Sequence, residues 1–103
     1  MIHHCVFVRF RSDVTEADKL ALWGDLRSLV GVLPGLLELR VGANARYEDL
    51  DQGFADGFIA VFDGPLALSA YQTHPLHRAT GARLVEAAQG GLQGLLVFDL
   101  EAP

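Results

Sequence analysis

HHCVFVRF, His3 to Phe10, is the stretch from which the rest of the chain is read. β-Branched and aromatic residues dominate it, and these are the types that suit a pleated strand. Val6, Val8 and Phe10 fall on one side of an alternating pattern, with Cys5, Phe7 and Arg9 on the other. Both sides are largely apolar. A strand of that kind needs cover on both faces of its sheet.

Outward from this strand the elements follow in a fixed order. Ser12-Asp13 ends it. Thr15 with Asp18 three residues on forms a capping box in which Asp replaces Glu, and Glu16 and Asp18 suit the positive end of a helix. Leu22, Leu26, Leu29 and Leu33 then recur at helical spacing, widened by Trp23 and Val30, up to a Pro34-Gly35 stop. Leu36 to Ala43 reads as a second strand, with Leu37, Leu39 and Val41 on one side and Glu38 and Arg40 on the other. A polar, acidic connection from Asn44 to Gly53 leads to a third strand, Phe54 to Asp63. Gly64-Pro65 opens a short helix to about Thr73, because proline suits the first helical position. Pro75 interrupts it, since a residue before proline avoids the helical region. A further helix runs from Pro75 to about Ala88, a Gly90-Gly91-Gly94 turn follows, and Leu95 to Leu100 is the last strand.

The order strand, helix, strand, strand, broken helix, strand is the split βαβ, or ferredoxin-like, arrangement. The fold class expected is α+β, a βαββαβ unit in which a four-stranded antiparallel sheet carries its helices on one face. The other face would present Phe7, Ile59, Val61 and the matching residues of the last strand. A second copy of the same sheet is the economical cover, so the expectation is a homodimer whose sheets meet face to face.

Composition narrows the partners. The chain has 103 residues, half of them apolar, which suits a single domain over residues 1–103. Eight basic against thirteen acidic residues leave a net charge of -5 with no basic cluster. That balance argues against nucleic acid and against anionic membrane surfaces. No apolar run approaches a membrane span, and the start lacks the layout of a cleavable signal. The single Cys5 has no partner for an internal disulfide. A soluble, cytoplasmic protein is expected.

Several landmarks occur together in order. They are the opening strand with His4 and a basic-Phe end, the Pro34-Gly35 helix stop, Val41-Gly42 closing the second strand and Gly53-Phe54 opening the third. Tyr71, the string His74-Pro75-Leu76-His77 and a closing LLVFDLE strand complete the set. In these the sequence resembles the stress-responsive A/B barrel (Dabb) family of dimeric α/β barrels, over nearly the whole chain. The resemblance implies a ferredoxin-like protomer and a homodimeric α/β barrel. It does not fix an activity. One plant polyketide cyclase of the family carries out a cofactor-free aldol cyclisation with a Tyr and a His, whereas plant stress proteins of the family are known for robust assembly.

Four histidines, in two pairs, are the main chemical content of the chain. His77 falls in the first turn of the helix that begins at Pro75, where partial positive charge favours a neutral imidazole and hence a general base. The resemblance implies the same role, because the matching residue of the cyclase is its base. The competing reading is a histidine hydrogen-bonded in the core. Tyr71, six residues earlier across the proline break, suits a hydrogen-bond donor to an enolate or carbonyl oxygen; its alternative is an amphipathic tyrosine at the edge of the core. His77 and Tyr71 are thus the catalytic candidates. His4, Val6, Val8, Trp23 and His74 are the candidates for lining a substrate pocket between helices and sheet. Of these, His4 also reads as a satisfied core histidine, and His74 as a residue that ends a helix. Trp23 is bulky enough to fill the space a long-tailed substrate needs.

A metal site is the rival use of these histidines. His74 and His77 are three residues apart, but Pro75 breaks the helix between them and no Cys or carboxylate stands beside them in sequence. The acidic stretch Glu48, Asp49, Asp51 and Asp56 lacks calcium-loop spacing, and the glycines near residue 90 do not open a helix after a strand. No metal and no cofactor are expected. The reading that combines these points is a small-molecule pocket for an aromatic or polyketide-like ligand, acted on by cyclase/lyase- or isomerase-type proton transfer. The alternative is a non-catalytic stress-response or binding dimer with structural histidines.

Overall fold

The computed structural model describes residues 1–103. Strand β1 (Ile2–Val8) is followed by helix α1 (Glu16–Arg27), β2 (Leu36–Ala43), β3 (Asp56–Phe62), α2 (Pro65–Thr73), α3 (Pro75–Ala87), a 3-10 turn (Gly91–Gly94) and β4 (Leu95–Glu101). The strands form one sheet in the order β2-β3-β1-β4, antiparallel throughout. This is the ferredoxin-like arrangement expected from the order of elements. No helix is long and apolar enough to cross a membrane.

Strand alternation divides the sheet into two unlike faces. Ile2, His4, Val6 and Val8 of β1 are buried beneath the helices, together with Phe58, Ala60 and Phe62 of β3. Leu22, Trp23 and Leu26 of α1, Ala67 and Tyr71 of α2, and Leu84 of α3 close over them. The opposite face carries Phe7, Ile59, Leu96, Phe98 and Leu100, each between 37% and 58% exposed. That is the bare apolar face expected from the strand patterns.

Helix α1 starts as the sequence predicts. The Thr15 hydroxyl accepts from the Asp18 N–H, and the Asp18 carboxylate accepts from the Thr15 N–H, each at 3.1 Å. It ends at Arg27, well before Pro34-Gly35. The Ser28 hydroxyl donates to the Asp25 carbonyl at 2.6 Å, and the Leu29, Val30 and Val32 amides reach back three residues rather than four. Gly31 then takes a left-handed φ of 86°. Leu29 and Leu33 are still buried. The leucine spacing therefore reports which side chains turn inward, not how far the helical hydrogen bonds run.

Strand β2 has the expected bounds but a different phase. The register shifts between Leu36, opposite Phe62, and Glu38, opposite Val61. This bulge buries Leu36 and turns Leu37 outward at 51% exposure, whereas simple alternation groups it with Leu39 and Val41, which pack against the core. Gly35 is held by its surroundings: its φ is 86°, and a Cβ there would meet Ala67 Cβ at 2.5 Å. Strand β3 begins at Asp56 rather than Phe54. The preceding loop is tied by Asp51, whose carboxylate accepts from Asn44 Nδ2 and from the Gly53 N–H, both at 2.8 Å.

Burial separates the costly substitutions from the harmless ones. Phe62 is fully buried and Tyr47 is 94% exposed. Urea denaturation should show Phe62→Ala losing roughly 3–5 kcal/mol and Tyr47→Ala shifting by no more than about 0.5 kcal/mol. Equal losses would contradict the packing described here.

Candidate functional site

The break between α2 and α3 positions the site. Pro75 lacks an N–H and cannot continue α2, and His74 before it is extended, with φ -65° and ψ 133°. The His74 N–H closes α2 on the Tyr71 carbonyl at 3.1 Å, and His74 Nδ1 accepts from the Leu76 N–H at 3.1 Å as the cap of α3. His74, one of the expected pocket residues, thus commits one ring nitrogen to joining the helices. The bend sets Tyr71, in the last turn of α2, against His77, in the first turn of α3. Their ring centroids are 4.0 Å apart, with planes inclined at 40°.

His4 rises from the sheet beneath this pair. Its ring lies 5.7 Å from Tyr71, edge-on, and 6.3 Å from Phe62, which packs against Tyr71 at 5.0 Å. Asp99 is the cross-strand partner of His4 in the β1–β4 ladder. His4 Nδ1–H donates to Asp99 Oδ1 at 2.5 Å, because a carboxylate only accepts. This contact orients the ring. The His4 side chain is 8% exposed and that of Asp99 is 41% exposed, so the pair runs from the interior to the rim.

Burial sets the protonation of the two upper groups. It pushes the Tyr71 phenol well above the usual tyrosine range, so the hydroxyl stays protonated and remains a donor. The Tyr71 oxygen is buried and has no hydrogen-bond partner within the chain. Burial also pushes the His77 imidazole below its ordinary value. Its hydrogen bond to the Gln72 carbonyl raises it, and His4 and His74 nearby lower it. The downward shift favours the neutral imidazole, and desolvation, rather than the helix terminus, is its leading cause. His77 Nδ1 lies 3.4 Å from the Gln72 carbonyl oxygen, a long contact.

The remaining expected residues lie further off. Trp23, Val6 and Val8 are buried in the helix–sheet layer. Trp23 packs edge-on against Phe10 and Phe58, each at 5.8 Å, and Phe58 in turn faces His4 at 6.2 Å. Trp23 is thus connected to Tyr71 through two intervening rings and does not adjoin it in the aromatic chain. Neither of the two principal cavities is lined by Tyr71 or His77. The larger, about 500 Å³, sits on the opposite sheet face, between Phe7, Ile59 and Leu96 and the Leu50 and Phe54 side chains of the β2–β3 connection. Cys5 also lies on that face, partly exposed, with its thiol pushed upward by burial and by Asp99.

Two further buried or part-buried polar residues were not singled out from the sequence. Asp99 sits in LLVFDLE, where alternation with Leu95 and Val97 places it on the helix side; that placement was the available signal. Thr80 is 1% exposed, and its hydroxyl, like that of Tyr71, is buried without a partner. It follows His77 along the inward stripe of α3, ahead of Leu84.

Comparison with known proteins adds context to this geometry. A family model described as the stress responsive A/B barrel domain matches residues 2–102. Olivetolic acid cyclase of Cannabis sativa is 21% identical over 98 residues, covering 95% of this chain and 93% of that protein. A solved dimeric ferredoxin-like protein of unknown function from Jannaschia sp. CCS1 superposes with a TM-score of 0.93 at 33% identity, over 98% of each chain. The hydroxynitrile lyase of Passiflora edulis superposes with a TM-score of 0.82 at 18% identity, covering 96% of this chain and 90% of that one.

The lowered His77 pKa makes stability depend on pH. The folded state binds this proton less readily than the unfolded state, whose value is near 6.5. The contribution is therefore complete above that value and is lost as the pH falls through the folded pKa. Urea midpoints compared at about pH 5 and about pH 7.5 should show His77→Gln losing less on acidification than the parent chain. An unchanged or larger loss in the variant would contradict the burial assigned to His77.

Proposed function

This chain belongs to the stress-responsive A/B barrel domain family, and on that premise we propose that it is a homodimeric, single-domain cytoplasmic protein that binds a small aromatic or polyketide-like molecule at Tyr71 and His77 and moves a proton next to its carbonyl group. The observation that carries this reading is the Tyr71 hydroxyl, buried without a partner and set beside an imidazole that burial holds neutral. A buried orphan hydroxyl is rare in a native fold and calls for a partner of its own. A ligand carbonyl oxygen supplies one.

In this reading the neutral His77 takes a proton from the carbon next to the carbonyl. The C–H electron pair moves into the new enolate and charge collects on the oxygen, where the Tyr71 O–H donates to it. His77 then returns the proton to carbon, or the enolate carbon attacks a second carbonyl, whose C=O π pair moves onto its oxygen and takes the proton from His77, as a cyclisation requires. The step uses the chain's own side chains. His4, oriented by Asp99, forms the polar floor under Tyr71. His77 is partly exposed, so a ligand would enter from its side. The names of two similar proteins, a cyclase and a hydroxynitrile lyase, support this class of chemistry.

Association rests on the open sheet face. Phe7, Ile59, Leu96, Phe98 and Leu100 form a contiguous apolar surface, and a similar chain at 33% identity is described as dimeric. A second copy covers this face and the cavity whose floor it forms.

A second reading, a non-catalytic stress-response or binding dimer, draws on the structural work the histidines do. His74 caps α3, His4 is paired with Asp99, and Tyr71 is fully enclosed. Hydrogen–deuterium exchange separates the two readings. In deuterated buffer the protein should speed exchange of the methyl protons of acetophenone, followed by proton NMR. His77→Gln should reduce that rate by roughly 10²–10⁴-fold and Tyr71→Phe by roughly 10²–10³-fold, both with the fold intact. No acceleration by the parent protein would favour the non-catalytic dimer.

The dimer is checked on its own. Light scattering should give about twice 11.2 kDa, and Phe98→Asp should shift the mass toward the monomer. A parent protein of monomer mass would contradict the two-sheet association.

A further inference from the structure

We infer that Thr80 is a specificity-determining residue of the site, its hydroxyl placed one helical turn beyond His77 to bind a second oxygen on the ligand. The inference rests on the proposed site at Tyr71 and His77 and extends it along α3. Thr80 is 1% exposed, and its Oγ1 is buried without a partner. A threonine inside a helix has a partner at hand, the carbonyl three or four residues back. Thr73 uses it: its hydroxyl donates to the Ser69 and Ala70 carbonyls, both at 3.3 Å. Thr80, in the same helical hairpin, makes no such bond although the Leu76 and His77 carbonyls stand in the equivalent positions.

Packing alone does not account for a hydroxyl at this position. Valine has the same shape and leaves no buried polar atom, and the stripe continues with the apolar Leu84. Residues three apart on a helix have Cβ atoms about 5–6 Å from one another. With His77 at the reacting carbon, a group held by Thr80 lies about that far along the ligand. The ligand class is therefore narrower than a simple aromatic ketone. It is a ketone that also carries a hydroxyl or second carbonyl on the ring or chain beyond the reacting carbon.

Isothermal titration of the intact protein with acetophenone and with 3-hydroxyacetophenone tests this. The parent protein should bind the hydroxylated ketone about tenfold more tightly, the effect of one neutral hydrogen bond. Thr80→Val should abolish that preference while its melting temperature stays level or rises, and Thr80→Ser should restore the preference. A preference that survives in Thr80→Val overturns the inference. So does a parent protein that responds equally to both ketones or to neither, and so does a Thr80→Val protein that melts lower and weakens for both alike. The catalytic reading is judged separately. If the preference depends on Thr80 while the parent protein fails to accelerate deuterium exchange, the proton-transfer proposal falls and the assignment of Thr80 stands.

Discussion

The burial of Tyr71 between the sheet and the broken helical hairpin is the constraint on which the site depends. The phenol ring is enclosed by Phe62 on one side, His4 below and His77 beside it. The contact with His77 would not exist if α2 and α3 were one straight helix, because residues six apart point to different sides of a continuous helix. Pro75 enforces the break by lacking a donor, and His74 makes it a defined bend by capping α3 with its ring. Backbone chemistry at two adjacent residues thus determines where a phenol and an imidazole meet.

The same burial shifts these two groups in opposite directions. Desolvation penalises whichever form is charged, so it raises the phenol and lowers the imidazole. Near neutral pH both are uncharged, a proton donor next to a proton acceptor. A shared environment that moves two titratable groups in opposite directions is a common way of assigning an acid and a base within one site. Asp99 and His4 add a charge-assisted contact at the base of the stack, which fixes a ring that is otherwise surrounded by Phe58, Phe62 and Tyr71.

Much of this was legible in the sequence, and the exceptions have physical causes. The capping box of α1, the bounds of β2 and the Pro75 break follow from local chemistry within a few residues. The end of α1 did not, because Leu29 and Leu33 keep their inward spacing in turns as well as in a helix. The outward turn of Leu37 comes from a bulge, which leaves no mark in an alternating pattern. The approach of Tyr71 to His77 follows from their places on either side of the proline. Asp99 was overlooked because its significance lies in cross-strand register with His4, a relation 95 residues apart in sequence. Thr80 was overlooked because an unsatisfied hydroxyl is visible only once its surroundings are known. The expected pocket lined by Tyr71 and His77 is not among the principal cavities, since side-chain volumes around a buried ring cannot be summed from a one-dimensional pattern.

The most direct measurement is a crystal structure of the protein soaked with a small aromatic ketone. The account predicts the ketone oxygen about 3 Å from the Tyr71 hydroxyl, with the adjacent carbon facing His77. A ketone seated instead in the cavity between Phe7 and Phe54, or a Tyr71 hydroxyl bonded to another group of the protein, would contradict it.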